Sequence, residues 1–198
     1  MMRSRLPKIH SFGMSAVRPV RAAVGLYASG RCAMALAALL FAGVSLGLLG
    51  CSATMTYPEY PGAPKADPSL QPLPNLMADS ITFVHGRMCA GTEVVFDLPP
   101  NTPKQVWRLV AKRLGTGRVM REGDKSVLSV RQVRLSGGRA EVDVVYPADG
   151  IYQVATVHFT GSTGQPFYPK MLQLWLVPTD TPACNTPPEV LADPNPQM

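Results

Sequence analysis

From Ala33 to Leu49 no charge interrupts an apolar run, and immediately beyond Cys51 the chain turns polar and proline-rich. Between Ser52 and Met77, Pro58, Pro61, Pro64, Pro68, Pro72 and Pro74 stand among small and polar residues with no apolar period. That pattern predicts an extended tether, because it buries too little to repay its ordering entropy. Tyr57 and Tyr60 are either a docking motif or incidental aromatics in it, the second being the commoner case for scattered aromatics in a linker. Patterning returns near Asp79. Ile81 to His85 reads as a short strand and Thr92 to Leu98 as a second, with Val94, Phe96 and Leu98 alternating against Glu93, Val95 and Asp97. Pro99-Pro100 ends it.

One helix follows, over 103–114. Thr102 is suited to cap it, Pro103 to its first position, and Gln105 completes a capping box with Thr102. Val106, Trp107, Val110 and Leu114 recur at helical spacing as the buried stripe, with Trp107 its largest anchor, and Gly115 supplies the left-handed stop.

Turn arithmetic then pairs three strands. Gly137-Gly138 as a two-residue loop sets Leu135 opposite Ala140, Val133 opposite Val142 and Arg134 opposite Glu141. Taking 147–150 as a four-residue turn sets Tyr146 opposite Ile151, Val142 opposite Ala155 and Ala140 opposite Val157. One face is then apolar throughout: Val133, Leu135, Ala140, Val142, Val144, Ala155, Val157 and Phe159. The other carries Arg134, Arg139, Glu141, Asp143, Thr156 and His158. Leu128 and Val130 are on the wrong parity for Val133, so a bulge at Arg131-Gln132 is expected. A last strand, Phe167 to Val177, is apolar on both faces, which predicts a strand covered on both sides or capped by another segment; Pro169 confines its start to an edge or bulge. Beyond Pro178 the prolines predict a loose tail with Cys184 as its attachment.

The expected fold is α+β, one capped helix on a curved antiparallel meander in two layers. The segments are an export segment at 1–50, a tether at 51–78, the domain at 79–178 and a tail at 179–198. The order of helix and meander, over Pro103 to Val177, is similar in architecture to the nuclear-transport-factor-2-like superfamily, which implies a cone.

The charge-free run acquires a meaning from its ends. Arg3, Arg5, Lys8, Arg18, Arg21 and Arg31 precede it, and Leu48-Leu49-Gly50-Cys51 closes it, with small Gly50 at the cut position. The four residues resemble a bacterial lipobox. The resemblance implies a diacylglycerol on Cys51, cleavage before it, and a lipid-anchored envelope protein; Ser52 after the cysteine implies outer-membrane residence, as in enterobacterial sorting. Cys32 to Gly50 is also about as long as the ~20 residues of an uncleaved transmembrane helix.

Cleavage changes the electrostatics. The whole chain carries 19 basic and 13 acidic residues, a net charge of +6. The six basic residues named above all precede Cys51 and all 13 acidic residues follow it, so the exported portion is formally neutral. A global attraction to nucleic acid is thereby excluded.

Candidate chemistry is sparse. His158 opposite Arg139, with Glu141 and Asp143 nearby, forms an acid/base cluster or a solvated face of crossed charge pairs. His85 and Cys89 supply two ligands where a structural zinc wants four, and no cofactor or metal motif is present. Ser80, Ser126, Ser129 and Ser136 lack a nucleophile-elbow setting. Lys104, Arg108 and Lys112, four apart, with Arg113 make the outer helix face basic and suit an anionic surface or envelope partner. Cys89 and Cys184 both follow the cut, on the oxidising side, and are expected to be joined. The sequence supports a structural or interaction module, or else a small-molecule-binding or enzymatic domain with a pocket between the 103–114 helix and the sheet.

Overall fold

The computed structural model describes residues 53–162 and 165–192; the export segment and Cys51 lie outside them. The described residues form an open, mixed, seven-stranded sheet with helices, an α+β arrangement. Its path is β3 (Arg118–Val119), β2 (Val95–Asp97), β4 (Leu128–Ser136), β5 (Arg139–Ala148), β6 (Ile151–Thr160) and β7 (Tyr168–Thr179), with β1 (Met55–Tyr57) pairing alongside the second half of β4. The expected sheet was wholly antiparallel, but β2 runs parallel to both β3 and β4.

The largest correction falls on 53–88. The proline-rich stretch is not a free tether: β1 pairs with β4, Thr56 and Ala66 exchange backbone hydrogen bonds with their loop, and Tyr57 is buried with its hydroxyl 2.7 Å from Thr102 Oγ1. Leu73–Met88 is a 16-residue helix, α1, in place of the strand expected at Ile81 to His85. Leu73, Leu76, Met77, Ser80, Ile81 and Val84 follow the 3, 4, 7, 8 and 11 spacing of one helix face, and all are buried. Pro74 sits in the first turn, where its missing N–H costs nothing. A β-branched run such as Ile81-Thr82-Phe83-Val84 favours strand locally, and burial of that stripe overrides it.

The second helix, α2 (Lys104–Leu114), lies where the sequence placed it and ends at left-handed Gly115. Its start differs. Pro103 is the cap and makes no side-chain capping bond; Thr102 Oγ1 donates instead to the Pro99 carbonyl at 2.6 Å. Trp107 is the largest fully buried side chain, tilted against Phe96 with ring centroids 6.0 Å apart. Helix α1 packs on α2, β4 and β5.

The β4–β5 register is the expected one, including the bulge between Val130 and Gln132. The β5–β6 register is displaced by two residues, because Pro147 and Ala148 stay in the ladder and Asp149-Gly150 alone make the turn, both at positive φ. Ala148 therefore faces Ile151, Tyr146 faces Gln153, and Val142 faces Val157. A shift of two preserves parity, so the whole expected inner face is buried.

Among the described residues strand β7 is neither central nor capped. It forms one end of the sheet, and Tyr168, Met171, Leu174, Trp175, Leu176 and Val177 are exposed along it. The tail beyond it is attached by bonds other than Cys184 alone. Asn185 donates from its backbone N and its Nδ2 to Asp97 (3.1 and 2.8 Å), Thr186 Oγ1 donates to the Met120 carbonyl (2.9 Å), and Val190 of the short helix α3 (Pro188–Leu191) enters the core.

Candidate functional site

The polar sheet face is built in cross-strand rows. Arg134, Glu141, His158 and Met171 form one row across β4 to β7; Gln132, Asp143, Thr156 and Gln173 form the next. Arg134 binds Asp143 through two bonds, 2.6 and 2.9 Å, and donates to Glu141 at 3.0 Å. These carboxylates raise the Arg134 guanidinium pKa, Asp143 contributing most. His158 pairs with Glu141, not with Arg139 as expected: Nδ1 lies 3.5 Å from Glu141 Oε1, and Nε2 lies 3.2 Å from Gln173 Oε1. Arg139 instead faces Thr160, again because of the two-residue register displacement.

From this network one chain of bonds runs to the sheet edge. Thr156 Oγ1, buried, donates to Asp143 Oδ1 at 2.6 Å and accepts from Trp175 Nε1 at 2.8 Å. The indole of an exposed tryptophan is thereby held in place. Chemically, each carboxylate here is engaged by a cation or hydroxyl donor, which suits a rigid, charge-paired face more than proton transfer.

The basic helix stripe divides. Arg113 donates through Nε and Nη2 to both oxygens of Asp79 on α1, at 2.7 and 2.8 Å, and this pairing raises its pKa. It fastens α2 to α1. Arg108 and Lys112 are exposed and Lys104 half-buried on the outer side of α2.

The space between α2 and the sheet is occupied by Trp107, Val106, Val110, Phe96 and the inner sheet side chains, each at most 6% exposed. The hollows are at the surface. One of about 410 Å³ lies between the start of α1, the Arg113–Asp79 pair and Phe167. Another, of about 240 Å³, contains His85, Cys89 and Glu93. There His85 Nε2 bonds the Thr92 carbonyl at 3.0 Å, and burial pushes the Cys89 thiol pKa up, opposite to what a nucleophile needs. Among the described residues no group of three or more His, Cys, Asp or Glu is placed to hold a metal ion.

Cys89 and Cys184 are free thiols: Cys89 caps the end of α1, and Cys184 Sγ points to the Met120 carbonyl at 3.5 Å. The expected link is absent: Cys89 lines the hollow of His85 and Glu93, whereas Cys184 lines a different one with Met120 and Asp124. Ser80 Oγ donates back to Met77 within α1, and Ser129 Oγ donates to Asp97 at 3.0 Å; Ser126 lines the smaller hollow and Ser136 closes β4 beside the Gly137-Gly138 turn, so the four serines do not converge. Burial raises the Asp97 pKa, opposed by its bonds to Asn185 and Ser129.

Sequence reasoning missed two features of the surface. One is the Asp97 clasp, whose signal is a lone aspartate inside a strand otherwise made of Val and Phe. The other is the β7 edge, uncovered among the described residues and signalled by a strand apolar on both faces. Comparison with known protein families, with curated proteins and with solved structures finds no match for this chain.

Proposed function

We propose that the protein is a lipid-anchored component of the cell envelope, held through Cys51, whose domain serves as an interaction module. In this reading α1 and α2 layer on one face of the sheet, in a cone-like arrangement, and the working surface is the free end of the sheet. The observation that carries it is β7: six large apolar side chains exposed along an edge strand whose outer side has no neighbour among the described residues. Soluble domains blunt such edges with charge, shortness or cover, because unpaired N–H and C=O groups template pairing with another chain. Here the strand has 12 residues and a single charge, Lys170. The filled space beneath α2 argues against the alternative of a ligand pocket there.

Anchoring is tested by metabolic labelling with palmitate. Label on the protein, lost together with cleavage in Cys51→Ser, supports the reading. An unlabelled chain retaining Ala33 to Gly50 makes the apolar run a transmembrane anchor instead.

A further inference from the structure

Strand β7 lies at the end of the sheet path, so one whole side of its backbone has no strand beside it among the described residues. Its composition restricts what can pair there. Between Pro169 and Pro178 stand Lys170, Met171, Leu172, Gln173, Leu174, Trp175, Leu176 and Val177. A partner strand bearing several charges would bring them against apolar neighbours with nothing to neutralise them, a desolvation cost with no return. The partner must itself be long, apolar and nearly uncharged. A second β7 meets each requirement.

We propose that β7 pairs antiparallel with β7 of a second copy of this chain, about a two-fold axis through the middle of the strand, making one continuous sheet of two. The proposal deepens the interaction reading above and rests on it. The interface is isologous, as in most homodimers, so it needs a surface complementary to itself. Apolar side chains meeting apolar side chains satisfy that. An axis between Leu172 and Trp175, within the regular part of the strand, also keeps Lys170 away from its own copy, so like charges do not meet.

Area supports the same partner. Tyr168, Met171, Leu174, Trp175, Leu176 and Val177 are 40–77% exposed. At ~200 Å² per large side chain their free surface amounts to roughly 700 Å², a ceiling on what edge pairing covers and of the order of the ~800 Å² that each partner contributes to a standard interface. Side chains flanking the axis on both sheet faces become neighbours, Trp175 on the polar face and Leu174 on the face that carries Ala155. Two copies anchored in one membrane also gain effective concentration for the encounter.

Antiparallel geometry makes the proposal specific. Opposed residues in such a ladder turn their backbone groups the same way, so a strand pairing with its own copy must place the axis beside a residue that faces itself. A cysteine at that residue cross-links to its own copy, and a cysteine a few residues away does not.

The test uses the full chain in detergent micelles, with Cys89 and Cys184 changed to Ser and single cysteines placed by Lys170→Cys, Met171→Cys, Gln173→Cys, Leu174→Cys and Leu176→Cys. The chain without an added cysteine is the control. The expected result is a two-chain mass for the unaltered protein, oxidative cross-linking that peaks sharply at one central position and is absent at 170, and a one-chain mass for Leu176→Lys. A one-chain mass for the unaltered protein with no cross-link above control overturns the dimer. Hydrogen exchange in native membranes of those β7 amides that point away from β6, the inward ones being held by the β6–β7 ladder in any case, then separates the two readings. Slow exchange there means another partner holds the strand, which sinks the second copy and spares the interaction module; fast exchange sinks both. Slow exchange on phosphatidylglycerol vesicles alone assigns the strand to lipid and also overturns the dimer.

Discussion

The two ends of the sheet are handled in opposite ways. At one end β3 is two residues long, and Gly117 before it approaches so closely that an added Cβ would lie 2.5 Å from the Val94 carbonyl oxygen. Its Arg118 is held by two bonds to Asp124, at 2.6 and 2.9 Å, and the Met120 carbonyl just beyond accepts from Thr186 and Cys184 of the returning tail. A short strand, a paired charge and a covering segment are the usual protections of an edge. At the other end β7 runs for 12 residues with its one charge, Lys170, its prolines and its register shifts confined to the two ends, and no segment covers it among the described residues. The same chain that uses its last described residues to cover one edge leaves the longer and more apolar edge without cover among the described residues, and that asymmetry is the best indication that this edge has an occupant.

Breaking the covered end should cost stability. Asp97 is fully buried and accepts from Ser129 Oγ and twice from Asn185. Asp97→Ala strands those donors and frees the tail, an expected loss of about 2–3 kcal/mol at the scale of hydrogen bonds to charged groups. Chemical denaturation should show a lower midpoint, and Cys184 should react faster with thiol reagents. An unchanged midpoint would mean that the clasp does not hold the tail in solution.

A weaker perturbation of the same end is acid. Arg118 lowers the Asp124 pKa to about 2, with lesser help from the Arg121 backbone. A folded carboxyl depressed below its unfolded value of about 3.9 stabilises above that value. Its contribution falls as pH drops from about 4 to about 2. Asp97 works the other way, since burial raises its pKa and the folded state takes up its proton more readily as pH falls. Asp124→Asn should therefore flatten the loss of stability between about pH 4 and pH 2, read from thermal midpoints across that range. An acid limb identical to that of the unaltered protein would remove the Arg118–Asp124 pair from the account of this edge.

The basic helix face tests whether a surface other than β7 binds. Changing Lys104, Arg108 and Lys112 to Gln should leave stability within about 1 kcal/mol, as for exposed charges in general. If the face meets anionic lipid, vesicle binding should fall with these changes and with added salt. Absence of vesicle binding by the unaltered protein at low salt would leave β7 as the sole candidate.

The central strands were legible because two local signals agreed: period-two alternation, and a Gly137-Gly138 turn that fixes one register independently. The next turn was misread by two residues, since Pro147 looks like a turn former but sits within β5. The inner face survived that error because parity did; the pairing of His158 did not, and with it went the expected Arg139 contact. Helix α1 was obscured for a different reason. Prolines from Pro58 to Pro74 suggest disorder when counted, whereas the spacing of Leu73, Leu76, Met77, Ser80, Ile81 and Val84 was present and points to a helix. Strand β2 lies inside the strand expected from Thr92 to Leu98, but its parallel pairing was not foreseen, and the tail clasp depends on Asp97 meeting Asn185, 88 residues later, a contact that no local pattern carries.

The smallest stability change is expected where the structural consequence is greatest. Leu176 is 77% exposed and touches no part of the core, so replacing it removes little buried area from the folded chain. Leu176→Lys should therefore leave the denaturation midpoint within about 0.5 kcal/mol of the original, as surface substitutions do. Its effect on the open edge is of another kind. A lysine in an apolar edge strand, here where the register shifts between Trp175 and Pro178, is among the devices that keep natural edges apart, because pairing would bury its ammonium without a counter-charge. Sedimentation of the full chain in micelles measures both properties on one sample: an unchanged fold with a lost partner identifies β7 as a surface kept free for association. A variant that unfolds would show instead that Leu176 supports the domain, and the contrast between the two ends of the sheet would reduce to a difference in strand length.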